Sequence, residues 1–195
     1  MKYFLCDQKS KLVDYIFEFR SLPLSFEKIE GLPQKIFKTP VLSPINDLYQ
    51  YDFSFLFRYQ IFPSQILSFF GEWQLYNRNM QVGDIIIQQV KIPPLPLSVK
   101  LIFGVKVLSV YQHKNKVGFS YGTLKGHPET GINEFSFFIQ EDSLFAEVHT
   151  IAKPGLFLSR SLASIFTRPY VNFCNRRALQ IMKESFLSSL KKSGK

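Results

Sequence analysis

Val117-Gly-Phe-Ser-Tyr-Gly-Thr-Leu-Lys-Gly-His-Pro-Glu-Thr-Gly-Ile-Asn-Glu134 joins one alternating segment to the next through a loop dense in Gly, Pro, Thr and His. Gly122, Gly126, Pro128 and Gly131 restrict or release the backbone at fixed places, so the segment predicts one defined shape rather than a slack connector. It should sit at the rim of a sheet with at least one glycine at positive φ. Its polar members Tyr121, Thr123, His127, Glu129 and Glu134 supply the group types that binding or acid–base chemistry uses.

On either side of this loop the chain reads as consecutive strands, at about 84–91, 100–111, 116–122, 132–140 and 143–152. Pro93-Pro-Leu-Pro96, His113–Asn115, the Gly-His-Pro-Glu loop and Glu141-Asp142 separate them, and such short links predict an antiparallel meander. Pro154-Gly155 ends the run, and a helical pattern follows to about Leu190, with Pro169 predicting a kink or a division into two helices. On a helical wheel Tyr170, Cys174, Ala178, Ile181 and Ser185 share a narrow face suited to lying across a sheet. Asn172, Arg176, Gln180, Lys183 and Glu184 fall opposite, with Phe173 and Leu187 among them.

Upstream, Ser10–Arg20 reads as a short amphipathic helix with Leu12, Ile16 and Phe19 on one side. Ser21–Asn46 carries four prolines and predicts an irregular wrap. Tyr51–Tyr59 alternates Tyr51, Phe53, Phe55 and Phe57 against Asp52, Ser54 and Arg58, which predicts a half-buried strand. Pro63 then stands where a helix accepts its first residue, before Ile66–Phe70 and Gly71. The class is α+β: a curved antiparallel sheet with one long C-terminal helix. One domain over 1–195 is expected, with residues 1–46 as N-terminal helix and wrap and 47–195 as the core.

Composition bounds the function classes. The chain of 195 residues is long enough to bury a core unaided, and 21 of them are Phe against 1 Trp, which predicts ring-rich interior walls. Cys6 and Cys174 lie far apart without ligand spacing, so reduced thiols and a cytoplasmic location are expected. No apolar run is long enough for a membrane span. The net charge of +9 is concentrated in residues 153–195, which hold 9 Lys/Arg against Glu184 alone. Arg176, Lys183, Lys191 and Lys192 could meet an anionic membrane surface, so peripheral attachment is a further expectation. Their single spacing favours an ordinary solvated helix face instead, and nucleic acid is not expected.

The Gly-Phe-x-Tyr-Gly-Thr-Leu-x-Gly-His-Pro-Glu core, Gly118 to Glu129 here, resembles the hallmark of domain-of-unknown-function family nineteen-ninety. The resemblance covers about Val107–Lys183, and more weakly Leu24–Gly31. That family is similar to the START-like, birch-pollen-allergen-like superfamily, which implies a helix-grip fold: a sheet wrapped around a long final helix, with two short helices after the first strand. The sequence departs from the family at Ile132-Asn133, where Gly131 would be followed by Glu, and at Ala152-Lys153, where Ser-Arg precedes the proline. Any family chemistry that uses that acid or that arginine would be altered here.

The leading functional expectation is a site between sheet and helix for an apolar or amphipathic small molecule, with Tyr121, Thr123, His127, Glu134 and His149 as its polar groups. The alternative is a hydrolase, cyclase or isomerase using His127 or Glu129 as acid or base, a less favoured reading. Either residue could equally serve only the turn, His127 bonding backbone and Glu129 capping. Phe145, Glu147 and His149 share one strand face, for which solvent exposure is favoured. The histidines His113, His127 and His149 are too far apart in sequence for a ligand pattern, so no metal and no cofactor is expected.

Overall fold

Alternation of apolar and polar residues along the C-terminal two thirds becomes a run of long antiparallel strands. The computed structural model describes residues 1–92, 99–155 and 163–192. Its strands are β1 (Lys2–Phe4), β2 (Gln34–Leu42), β3 (Leu67–Gly71), β4 (Ile85–Ile92), β5 (Val99–Gln112), β6 (Lys116–Thr123), β7 (Glu129–Gln140) and β8 (Ser143–Pro154). They form one curved, unclosed eight-stranded sheet of order β2-β8-β7-β6-β5-β4-β3, with β1 added beside β5. The meander expected from 84 to 152 is therefore present, with β7 starting inside the motif at Glu129. The turn expected at Pro93–Pro96 and the start of the final helical pattern lie outside the described residues. The β7–β8 hairpin closes at Glu141 and Asp142, both at positive φ (50° and 55°), the twist that suits a two-residue hairpin turn.

The helices are α1 (Ile16–Arg20), which continues a 3-10 stretch at Lys9–Tyr15, α2 (Ser54–Phe57) and the long α3 (Ala163–Lys192). One helix runs through Pro169. Leu12, Ile16 and Phe19 are buried as their spacing predicts, against Ile85, Ile87 and Ile102 on the outer face of β4 and β5. On the inner face Ile86 and Val90 meet the main core. The continuous Ile85-Ile86-Ile87 run follows from this double covering, since apolar groups are needed on both faces of β4.

Three upstream expectations are corrected. Residues 34–42 are a strand, paired with β8 from Gln34↔Ile151 to Leu42↔Leu144. Its outer side is a sheet edge, which admits Pro40 and exposed lysines and so hides the apolar period. Tyr51–Tyr59 is not a strand: Asp47 accepts the Tyr49 N–H at 2.9 Å and Asp52 the Ser54 N–H at 2.8 Å, turning the chain into a 3-10 turn and α2. Those turns are the two short helices that follow the first helix-grip strand. Pro63 starts one turn rather than a helix, its carbonyl accepting the Ile66 and Leu67 N–H groups at 3.0 and 3.1 Å, before β3 pairs with β4.

The main core lies between the inner sheet face and α3. Phe186 stacks on Phe53 at 5.3 Å between ring centroids and reaches Phe137 at 5.6 Å. Asn175, Ala178, Met182 and Phe186 are the buried line of α3. That line is rotated by about one residue from the expected Cys174–Ile181–Ser185 face, because the larger Met182 and Phe186 take the sheet side. Leu187 packs at the core edge, whereas Phe173 is 44% exposed.

Candidate functional site

The motif loop is held by side-chain bonds from both ends. The Thr123 hydroxyl accepts the Gly131 N–H at 2.9 Å, contacts the Gly131 carbonyl at 3.1 Å and meets Ser25 Oγ at 2.6 Å. Residues Pro23 to Ser25 run alongside, with Ser25 N–H donating to Thr123 and Lys125 N–H to Pro23. Gly126 sits at φ 86°, the left-handed conformation the turn requires. At Gly131 a Cβ would stand 2.0 Å from the Ile151 carbonyl oxygen, so only glycine lets β7 approach β8 there.

His127 is buried, edge-on to Phe103 at 4.3 Å. Its Nδ1 is held by the Glu129 backbone, 2.9 Å from the N–H and 3.0 Å from the carbonyl oxygen, so the ring is fixed by its own turn. Burial depresses the imidazole to about 3, so it is uncharged at neutral pH. The Glu129 carboxyl is pushed up to about 7 by burial, with Lys35 opposing the shift. Side chains of both residues line a recess of about 90 Å³ between the sheet and α3. Phe62, Ile66, Leu67, Val90 and Phe103 form its apolar wall, and Gln88, Tyr121, Asn133 and Asn175 complete its polar one. A second recess of about 350 Å³ shares Pro128, Glu129, Val171 and Asn175 with the first and extends to Lys35 and Thr150. A wider groove of about 1130 Å³, lined by Phe57, Arg58, Trp73, Asn77 and Tyr111 among others, is reached by none of the motif residues.

The polar wall is chained together. Asn175 Nδ2 donates to Thr150 Oγ1 at 3.2 Å, and Thr150 donates to Asn133 Oδ1 at 2.7 Å. Across the recess Gln88 Nε2 donates to Tyr59 Oη at 2.6 Å, and Tyr59 in turn bonds Tyr121. Burial raises the Tyr121 hydroxyl, and it pushes the Cys174 thiol up to about 12, which removes the thiolate that nucleophilic chemistry would need. Among the described residues no three His, Cys, Asp or Glu side chains gather as a metal site.

Of the residues expected to form the site, Tyr121, His127 and Glu129 come together and three do not. Thr123 is spent on the loop. Glu134 and His149 lie on the opposite sheet face: Glu134 accepts from Tyr111 and from Lys116 Nζ at 2.8 Å, while His149 meets Gln34 at 3.2 Å in an exposed position. Asn133, Thr150 and Asn175 occupy the inner positions instead. Strand parity is the signal that finds them, since Phe135 and Phe137 mark the core face of β7 and put Asn133 inward and Glu134 outward. The departure at Asn133 therefore places a carboxamide on the recess wall. Of the basic helix residues, Lys183 Nζ bonds the Pro40 carbonyl at 2.8 Å, Arg176 and Lys191 are exposed, and the Lys192 side chain lies outside the described residues. No described helix is long and apolar enough to cross a membrane.

A curved antiparallel sheet gripping one long helix, with a recess at one end of their interface, is the helix-grip class. Within it the chain belongs to the family called Domain of unknown function (DUF1990), which matches residues 48–180. Among solved structures, the di-domain ARO/CYC StfQ from the steffimycin biosynthetic pathway is similar at TM-score 0.54 and 11% identity, over 95% of this chain and 56% of that one. The chain thus spans about half the length of that di-domain protein. Ginseng major latex-like protein 151, from Panax ginseng, is similar at TM-score 0.50 and 11% identity, over 80% of this chain and 99% of that one. At these identities the likeness is one of fold. No curated protein matches the chain.

Proposed function

We propose that the protein binds an apolar or amphipathic small molecule in the recess between the sheet and α3. The observation that carries this reading is where the ring packing ends: past Phe135, whose ring meets Phe62 and Tyr121 at 5.8 and 5.7 Å, the same interface opens into a recess walled by apolar side chains around uncharged His127, Tyr121, Asn133 and Glu129. Such a lining, mostly apolar with a few placed polar groups, is the usual make-up of a small-molecule site. The test is titration with the neutral fluorophore phenylnaphthylamine, using wild type and Val171→Phe, which narrows both recesses. Saturable binding by wild type, weakened at least about ten-fold in the variant at unchanged melting temperature, is the expected result. Equal binding by the two proteins would refute the placement.

A second reading, acid–base catalysis by Glu129 or His127, is favoured by one arrangement: the two residues border the same recess, where burial pushes the Glu129 carboxyl up to about 7. It is separated from simple binding by following co-purified compounds by mass spectrometry. Conversion that disappears in Glu129→Gln while binding persists supports an enzyme, whereas unchanged compounds in both proteins support a binder.

A further inference from the structure

The wide groove of about 1130 Å³ lies between the α2 segment and the turn from Trp73 to Gln81, beside the end of β5. Its apolar lining, which includes Phe57, Phe69, Trp73, Met80 and Val110, belongs to the main core or packs against it. Six of its lining residues are carboxamides: Gln60, Gln74, Asn77, Asn79, Gln81 and Gln112. Asn and Gln in a turn ordinarily serve the turn itself. Here other groups close it. Gln74 Oε1 accepts the Gly71 N–H at 2.7 Å, Asp84 accepts the Gln81 N–H at 2.8 Å and both Arg78 Nη groups, and the Arg78 N–H reaches the Trp73 carbonyl at 3.2 Å. Among the described residues none bonds the side chains of Gln60, Asn77, Asn79, Gln81 or Gln112. The backbone fixes both walls. Asn77 on one side and Tyr59 on the other are left-handed, at φ 47° and 59°, a conformation that bulky side chains rarely adopt. At Tyr59 it accompanies a ring wholly buried in the core while the neighbours Arg58 and Gln60 line the groove.

A carboxamide offers two donors and a carbonyl acceptor without carrying charge. A hydroxyl group likewise both donates and accepts, so a row of carboxamides suits a row of hydroxyls. Charge is scarce in the groove. No lysine lines it, in a chain with 24 Lys and Arg, and Arg78 is committed to Asp84. Asp52 and Arg58, the other two charged residues of the lining, are opposite in sign. A polyanion would meet one uncommitted cation there, and a wholly apolar ligand would take water from the carboxamides and return no bonds. We propose that this groove is a second ligand site, independent of the recess, for a neutral polyhydroxylated molecule of the glycoside class. Its hydroxyls are bonded by Gln60, Asn77, Asn79, Gln81 and Gln112, and the C–H face of a sugar ring lies on the half-buried Phe57 and Phe69. The groove is large enough for more than one sugar ring.

The test titrates the whole protein with four neutral disaccharides (maltose, cellobiose, lactose and sucrose) and with adenosine 5′-monophosphate as the charged comparison, following side-chain NH2 signals by NMR. At least one disaccharide should saturate in the millimolar range and shift the NH2 signals of Asn77, Asn79 and Gln81, and the nucleotide should bind more weakly. The double variant N79A/Q81A on one wall and Q60A on the other remove exposed side chains without described bonds, so both should fold. Each should weaken the disaccharide about ten-fold or more. Val171→Phe, which narrows the recess, should leave disaccharide affinity unchanged. Binding of none of the four disaccharides overturns the site. Tighter binding of the nucleotide overturns the ligand class, and affinity that survives both groove variants, or is lost in Val171→Phe, overturns the placement. The recess reading is untouched by these results, because phenylnaphthylamine binding tests it separately.

Discussion

The two ends of the sheet–helix interface are built from the same strands and the same helix, yet they differ in kind. At one end Phe53, Phe137 and Phe186 fill the space with rings 5.1 to 5.6 Å apart. At the other, inner β7 and β8 positions change to Asn133 and Thr150, and α3 presents Val171, Cys174 and Asn175, so the surfaces stand apart around a recess. Rings are concentrated at the filled end and polar side chains at the open one. A helix anchored at Met182 and Phe186 can tolerate small and polar side chains two and three turns earlier.

The sharpest way to break this contrast is Phe186→Ala, which deletes the centre of the ring stack. It should lower unfolding free energy by about 4 kcal/mol in urea denaturation, while a probe in the recess continues to bind at temperatures where the variant is folded. Loss below about 1 kcal/mol would place the anchor elsewhere.

Next in size is a pH effect at the open end. The folded state raises Glu129 from 4.5 to about 7, so its protonated form is favoured on folding. That contribution is complete below 4.5 and is lost as pH rises toward 7. Glu129→Gln should therefore gain stability over wild type across that window, by on the order of 3 kcal/mol at most, in parallel urea titrations. His127 acts with the opposite sign. Its folded value falls from 6.5 to about 3, so its contribution is complete above 6.5 and is lost on acidification through that range. The two slopes offset each other where the ranges overlap, and removing either group should expose the other. Curves for wild type and Glu129→Gln that run parallel would contradict the burial of the carboxyl.

Thr123→Val tests the loop that aims both groups. It removes a hydroxyl bonded to Gly131 and Ser25, and should cost about 2 kcal/mol with faster amide exchange at Gly131. The smallest effect is expected on the outer side of α3. Phe173→Ser alters a half-exposed ring and should change stability by no more than about 0.5 kcal/mol in thermal melts; a drop of several degrees would mean that the ring is covered.

How much of this was legible in sequence depended on local period. The strands from Ile85 to Pro154 are long, with turn residues between them, and the motif glycines mark real backbone needs at Gly126 and Gly131. The strand at 34–42 was hidden by its edge position, where Lys35, Lys38 and Pro40 are tolerated. The aromatic alternation of 51–59 imitated a strand because Asp47 and Asp52 act as caps, a signal carried by two carboxylates rather than by period. At the site, His127 and Glu129 were visible as motif residues. Asn133, Thr150 and Asn175 were not, since a polar residue beside Glu134, His149 or Arg176 looks no different until the core parity of its neighbours is counted. The same one-residue ambiguity misplaced Glu134 and His149 and rotated the expected face of α3.

The edge strand carries a practical lesson about where this chain can be cut. The family match begins at residue 48, after β2 has ended at Leu42. A fragment trimmed to that boundary would leave β8 bare along one side from Leu144 to Ile151, and α3 without the Pro40 carbonyl and Lys35 that Lys183 and Asn172 engage. An uncovered strand of that length is a template for other chains, so the sequence upstream of the match acts as the guard rail that keeps the sheet to itself.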